Sequence, residues 1–244
     1  MDVLSIGNSF SQDAQRYLHG IARAGGANID AFNLYIGGCP FASHFRNMLS
    51  EEPLYTLEMN GKSTGFKVSL KQALLNRSWD VITIQQASHF SPNYAAYQPY
   101  GDRLAEFVRF HCPKAKLVVH QTWAYEQGSV RLHTSMGYAD FHDMLADVTE
   151  SYRQLAESVH ADFIIPSGEV LGALTDNGIA RVHRDTFHAA LGVGRYALGL
   201  TWYRFLTSRD VADNPFCDFD EEIPAGDIET VKKCVAAIAE KYGR

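Results

Sequence analysis

Cysteines, cations and long apolar runs are all scarce in this chain. Cys39, Cys112, Cys217 and Cys234 are its only cysteines, widely spaced and without a C-x-x-C pair. That spacing supports neither a zinc ribbon nor a redox pair. No stretch reaches the roughly 20 apolar residues that cross a bilayer as a helix. Lysine and arginine total 22 against 28 aspartates and glutamates, a net charge of −6. Neutralising phosphates takes a basic surface, so a general grip on nucleic acid is not expected. Met1-Asp2 runs directly into Val3-Leu4-Ser5-Ile6, with no basic segment and no room for a signal-peptide core. The expected location is the cytoplasm, with reduced thiols and an unmodified Asn76-Arg77-Ser78 sequon. His111, His142 and His160 fall on helical segments without carboxylates at ligand spacing, so no metal is expected. Repeats and low-complexity tracts are also missing.

What is present is an ordinary globular balance over 244 residues, 46% hydrophobic and 20% charged, the size of one α/β domain spanning 1–244. Short β-branched runs alternate with longer helical segments, the pattern of βαβ units. Strands are expected at Val3 to Ile6, about Ile29 to Ile36, Val81 to Ile84, Lys116 to His120, and Phe163 to Ile165. Helices are expected from the Gly7-Asn8-Ser9 turn to about Ala24, and over Ser69 to Asn76 and Pro99 to Phe110. Others are expected within Met136 to His160, over an amphipathic His188 to Leu206, and from Asp227 to Tyr242. Leu54 to Met59 and Phe66 to Leu70 flank Asn60-Gly61-Lys62-Ser63, a hairpin signal. The expected fold is a doubly wound, flavodoxin-like sheet of five parallel strands with helices on both faces. The hairpin (about 54–70) is an insertion outside that parallel sheet. Such sheets place their sites at the carboxyl ends of the strands.

Two short patterns carry chemistry at that edge. Ser9 stands between the first strand and its helix, beside N–H groups that can stabilise negative charge. Serine there is also an ordinary N-cap. Asp185-Thr186-Phe187-His188 follows the loop at Asn177-Gly178. An aspartate three residues before a histidine can orient the imidazole, leaving its other nitrogen to take a proton from a serine. Gly38, after the second strand, can offer an unobstructed N–H on the same edge.

These residues resemble the GDSL or SGNH hydrolases. Gly7-Asn8-Ser9-Phe10-Ser11 is similar to the family's opening GDSxS block, in a writing found in a bacterial branch. Gly38 falls at its second-block glycine and Asp185 to His188 at its closing DxxH block. The resemblance spans nearly the whole chain. It implies Ser9 as nucleophile, His188 as general base, Asp185 as its orienter, and the Ser9 and Gly38 N–H groups in the oxyanion hole. The chain departs from the pattern at Asn8, where the family usually has Asp, and at the third block, usually Gly-x-Asn. Here it reads Gln85-Gln86-Ala87-Ser88-His89. Ungapped alignment from Asp80 puts His89 at the asparagine, while the Gln86 amide could donate equally well. Both stay open as oxyanion donors.

Trp123 and Tyr125, after the fourth strand, are candidates for an aromatic wall against a sugar, or pack beneath the loop. Tyr94, Tyr97 and Tyr100 line the cleft or cover it. Asp213, Asp218, Asp220, Glu221 and Glu222 read as a solvated acidic face, with a cation site as the other reading. The resulting expectation is a cofactor-free serine esterase acting on short acyl esters, acetyl foremost, of a small molecule or oligosaccharide. The competing readings are a non-catalytic α/β binding module and a flavodoxin-like phosphate binder.

Overall fold

A computed structural model describes residues 1–244. Its strands are β1 (Asp2–Gly7), β2 (Asp30–Tyr35), β3 (Tyr55–Met59), β4 (Lys62–Val68), β5 (Val81–Ile84), β6 (Lys116–His120) and β7 (Phe163–Ile165). They form one sheet in the order β4-β3-β2-β1-β5-β6-β7. The five expected strands pair in parallel, β2-β1-β5-β6-β7. The strand order reverses at β1, whose Val3, Leu4 and Ile6 are wholly buried between the two layers of helices.

The sheet is larger than the five strands expected. β3 and β4 do form a hairpin, but β3 pairs antiparallel with β2 and extends the same sheet. The turn is Asn60-Gly61, at φ 50° and 75°, the doubly positive pair that suits a right-twisted hairpin. β4 therefore starts at Lys62, inside the segment expected to be loop. Pairing with β3 satisfies the edge of β2 that would otherwise stand open.

The helices are α1 (Ser9–Gln15), α2 (Leu18–Ala24), α3 (Phe41–Ser50), α4 (Leu70–Leu75), α5 (Tyr100–His111), α6 (Phe141–Ser158), α7 (Ser167–Asp176), α8 (Val193–Thr207) and α9 (Ala225–Lys241). α8 packs on α1, α2, α7 and α9, while α5 packs on α3, α4 and α6. These are the two sets that right-handed crossovers place on opposite faces. The helix expected from Ser9 to Ala24 is two helices, broken at Arg16-Tyr17. The helix expected from His188 begins only at Val193. Before it, His183 and Ala189 bridge, Arg184 N–H donates to His188 O, and Ala190 N–H donates to Val182 O, a tight antiparallel turn that a helix cannot share. Nor is α8 amphipathic. Ala197, Leu198, Leu200, Trp202, Tyr203 and Phe205 are buried around its circumference. One apolar core runs from Val3 to Ala239.

Candidate active site

At the carboxyl end of β1 the chain turns within two residues. A Cβ on Gly7 would sit 2.2 Å from Ser11 Oγ, so only glycine permits the turn. Asn8 caps α1: its Oδ1 accepts from Phe10 N–H at 3.0 Å, and Ser11 Oγ accepts from Asn8 N–H at 3.1 Å. This reciprocal cap satisfies the open helix end. Asn8 also reaches two neighbouring loops, accepting from Gln85 Nε2 at 2.8 Å and donating to Cys39 O at 3.2 Å. Ser9 is thereby the first residue of α1, with its hydroxyl facing an open cleft.

The tight turn before α8 brings the second pattern to the first. His188 Nε2 lies 2.8 Å from Ser9 Oγ, and His188 Nδ1 lies 2.7 Å from Asp185 Oδ2. His188 N–H donates to the other carboxylate oxygen at 2.8 Å. Burial pushes the Asp185 carboxyl up, but the hydrogen bonds and charge of His188 outweigh it and hold the group below the usual carboxylate range. An ionised Asp185 requires a proton on Nδ1, which leaves Nε2 to accept the Ser9 hydroxyl. Thr186, between them, has φ 74°, a strained conformation for a β-branched residue.

Asp13, one turn beyond Ser9 on α1, is wholly buried and accepts from Arg184 Nη1 at 2.9 and 3.0 Å and from Arg195 Nε at 2.9 Å. Arg184 immediately precedes Asp185, so this ion pair ties the loop of the base to the helix of the serine. Sequence reasoning missed both residues; the only signal was a lone acid in a buried helix. Arg195 continues to Asp220 at 2.8 Å, and Asp220 also takes the Arg16 guanidinium. Within the acidic segment, Asp220 is thus ion-paired and not merely solvated.

Gly38 lines the cleft beside Ser9 at φ +61°, and a Cβ there would meet nothing within 4 Å. The backbone conformation, not space, requires glycine. Neither the Ser9 nor the Gly38 N–H enters a backbone hydrogen bond, so both can receive an oxyanion. The structure separates the two third-block candidates. Gln86 is buried away from the cleft. Its Oε1 accepts from the Phe41 and Ala87 N–H groups, and its Nε2 donates to Ala96 O. With its amide committed to backbone, Gln86 cannot serve as the donor. His89 lines the cleft, and burial, aided by the Arg131 charge, lowers its pKa and favours the neutral ring. Ser88, which sequence reasoning passed over, also lines it and lies 2.9 Å from the Tyr125 hydroxyl.

Tyr125 reaches the cleft, but Trp123 does not. Trp123 is 1% exposed, stacks on Phe10 at 4.0 Å and donates from Nε1 to Phe187 O at 2.7 Å. It props the floor of the site and offers no wall to a ligand. Tyr94, Tyr97 and Tyr100 lie outside the lining, with Tyr97 buried and donating to Ser91 O. The cleft encloses about 520 Å³, and Gln12, Tyr35, Arg131 and Phe187 complete its walls. A neighbouring hollow of about 640 Å³ shares Gly37 and Gly38 with it. Cys39 lies along that hollow, but burial raises its thiol to about 12, which keeps it protonated and a poor nucleophile.

No group of three or more His, Cys, Asp or Glu side chains is placed to hold a metal ion. His142, expected to lack carboxylate partners, has two: Asp140 at 2.8 Å and Asp176 at 2.9 Å. Asp140 caps α6 by accepting from His142 N–H, which brings the two side chains together. All four cysteines are free. No helix is long and apolar enough to cross a membrane.

The chain belongs to the DUF4886 family, a domain of unknown function, whose model matches residues 2–234. It is similar to the crystal structure of a DUF4886 family protein from Bacteroides uniformis, with TM-score 0.93 and 29% identity over 100% of this chain and 96% of that one. It also shares its fold with "a putative SGNH hydrolase" from Slackia heliotrinireducens, with TM-score 0.61 and 22% identity over 84% of this chain and 98% of that one. A third match is "a putative GDSL-like lipase" from Parabacteroides merdae, with TM-score 0.55 and 15% identity over 85% and 95%. The fold is therefore what the chain shares with these two structures. No curated protein sequence matches this one.

Proposed function

We propose that this member of the DUF4886 family is a serine ester hydrolase that removes short acyl groups, acetyl foremost, from a carbohydrate. The observation that carries the reading is the unbroken relay from Ser9 Oγ to His188 Nε2 at 2.8 Å and from His188 Nδ1 to Asp185 at 2.7 Å, facing an open cleft. In this reading Ser9 Oγ attacks the ester carbonyl as its proton passes to His188 Nε2. The negative charge on the carbonyl oxygen rests against the Ser9 and Gly38 N–H groups, with His89 as the side chain nearest in role to the missing asparagine. The tetrahedral intermediate collapses, His188 returns the proton to the departing alkoxide, and the acyl group stays on Ser9. Water then attacks the acyl carbonyl as its proton passes to His188, the second tetrahedral intermediate expels Ser9 Oγ, and His188 returns the proton to it, leaving the free acid and the starting serine.

The choice of substrate rests on the walls. Gln12, Ser88 and His89 offer hydrogen bonds, while Tyr35 offers a ring face beside them. That combination suits a polar ring better than a long alkyl chain. Hydrolysis of p-nitrophenyl acetate, butyrate and octanoate by the wild type and Ser9→Ala tests it. The expected result is turnover that falls with chain length and vanishes in Ser9→Ala. Equal turnover in both proteins would refute the assignment of Ser9. No turnover of any of the three would favour a binding module built on the same fold.

A further inference from the structure

Among the side chains lining the cleft, two are cationic and none is acidic, although the molecule as a whole carries −6. The two cations differ in their surroundings. Arg184 is ion-paired with Asp13, which it shares with Arg195. Arg131 forms no ion pair; its guanidinium lies over the Phe187 ring, 4.0 Å from the centroid, and 5.9 Å from that of Tyr125. Nearby cations elsewhere each reach a carboxylate, Arg195 at Asp13 and Asp220, and Arg16 at Asp220. Asp185 is occupied by His188.

We propose that Arg131 is a specificity residue, and that the ester accepted by this cleft carries a carboxylate which Arg131 binds. The inference rests on the hydrolase reading above and names its substrate class. A guanidinium stacked on a ring is held in place while its edge N–H groups stay free, and that edge matches a carboxylate with two parallel hydrogen bonds. An arginine is often only solvated at a surface. This one is exposed but stands at the cleft wall: it lines the cleft itself, lies over the Phe187 ring that also lines it, and its charge is felt by His89. Phe187 also packs against the His188 ring at 3.9 Å.

The test compares each anionic ester with its uncharged methyl ester. One pair is 4-nitrophenyl hemisuccinate and 4-nitrophenyl methyl succinate, with the charge on the acyl side. The other is 4-acetoxybenzoate and methyl 4-acetoxybenzoate, with the charge on the leaving group. Wild type, Arg131→Gln, Arg131→Lys and Ser9→Ala are assayed at low and high salt. The expected result is a kcat/KM at least about tenfold higher for the anionic member of one pair, the size of a charge-assisted contact. That ratio is lost in Arg131→Gln, partly kept in Arg131→Lys and reduced by salt. No anionic advantage in either pair, or an advantage that survives Arg131→Gln, overturns the inference while leaving the hydrolase reading intact. If no ester shows Ser9-dependent turnover, the hydrolase reading fails instead. Calorimetric titration with monomethyl and dimethyl succinate then decides the anion site alone. Binding of the monoester that disappears in Arg131→Gln supports the site, and equal or absent binding overturns it.

Discussion

One side chain, Asn8, fixes the backbone around the candidate site. Its amide caps α1, accepts from Gln85 on the β5 side and donates to Cys39 O on the β2 side. Three loops at the sheet's carboxyl edge are fixed by a group that is 1% exposed. A carboxylate cannot donate to Cys39 O. Asn8→Asp should therefore lower unfolding stability by about 1–3 kcal/mol, the cost of an unmatched buried acceptor, measured by urea denaturation. An unchanged midpoint would show that the donor side of Asn8 is idle. For the proposed relay, Ser9→Ala and His188→Ala should each lower kcat by about 10⁵- to 10⁶-fold and Asp185→Ala by about 10⁴-fold, because in that reading Asp185 acts only through His188. Equal losses in all three would contradict those roles. Ser9, Gly38, Asp185 and His188 were legible in the sequence because short patterns at strand ends carry them. Gln86 was not resolved, since nothing in its neighbours reveals that its amide is consumed by distant backbone at Phe41 and Ala96.

Among the elements, the decisive junction is α1 with the loop before α8. Asp13 holds Arg184 and Arg195 from a fully buried position, and Asp220 extends the network to Arg16. Removing the central acid leaves the largely buried Arg184 without a carboxylate and Arg195 with Asp220 alone. Asp13→Asn should cost about 3 kcal/mol of stability. Because the pair positions the loop of His188, the variant should also lose more in kcat than in KM, which steady-state kinetics on p-nitrophenyl acetate would show. A stability loss with unchanged kcat would reduce the network to a structural brace. The hairpin is wired to the same edge. Its Glu58, buried on β3 opposite Asn33, accepts from Asn33 and from Gln12, which lines the cleft. Burial raises the Glu58 pKa against those two donors. The hairpin itself was legible from Asn60-Gly61, but its pairing with β2 was not, because strand pairing is non-local. The same limit hid α3, α7 and the late start of α8, whose first possible turn is taken by the bridge between His183 and Ala189.

Across the whole molecule, three histidines set the response to acid. Burial lowers His44 and His120 to about 3 and His183 to about 4, each from the ordinary 6.5. His120 fits the neutral state: its Nδ1 faces Gln85 Oε1 at 2.7 Å and its Nε2 faces Ser167 Oγ at 3.0 Å, a chain that continues to Asn8. Above pH 6.5 these groups are neutral in both the folded and the unfolded chain. As pH falls below 6.5 the unfolded chain takes up protons that the folded one resists, so stability declines down to the folded values of about 3 to 4. By pH 5 the loss is about 2 kcal/mol per histidine. Chemical denaturation at pH 7 and pH 5 should show it, with the drop reduced in His44→Gln. A flat profile between the two would mean that these rings are protonated, or exposed, in the folded state.

The claim on which the rest depends is that Ser9 is a nucleophile activated by His188. Labelling with a fluorophosphonate, followed by intact mass and peptide mapping, tests it without knowledge of the substrate. The expected result is a single adduct on Ser9, absent in Ser9→Ala and strongly slowed in His188→Ala. An adduct on another residue, or labelling unchanged in either variant, would contradict it.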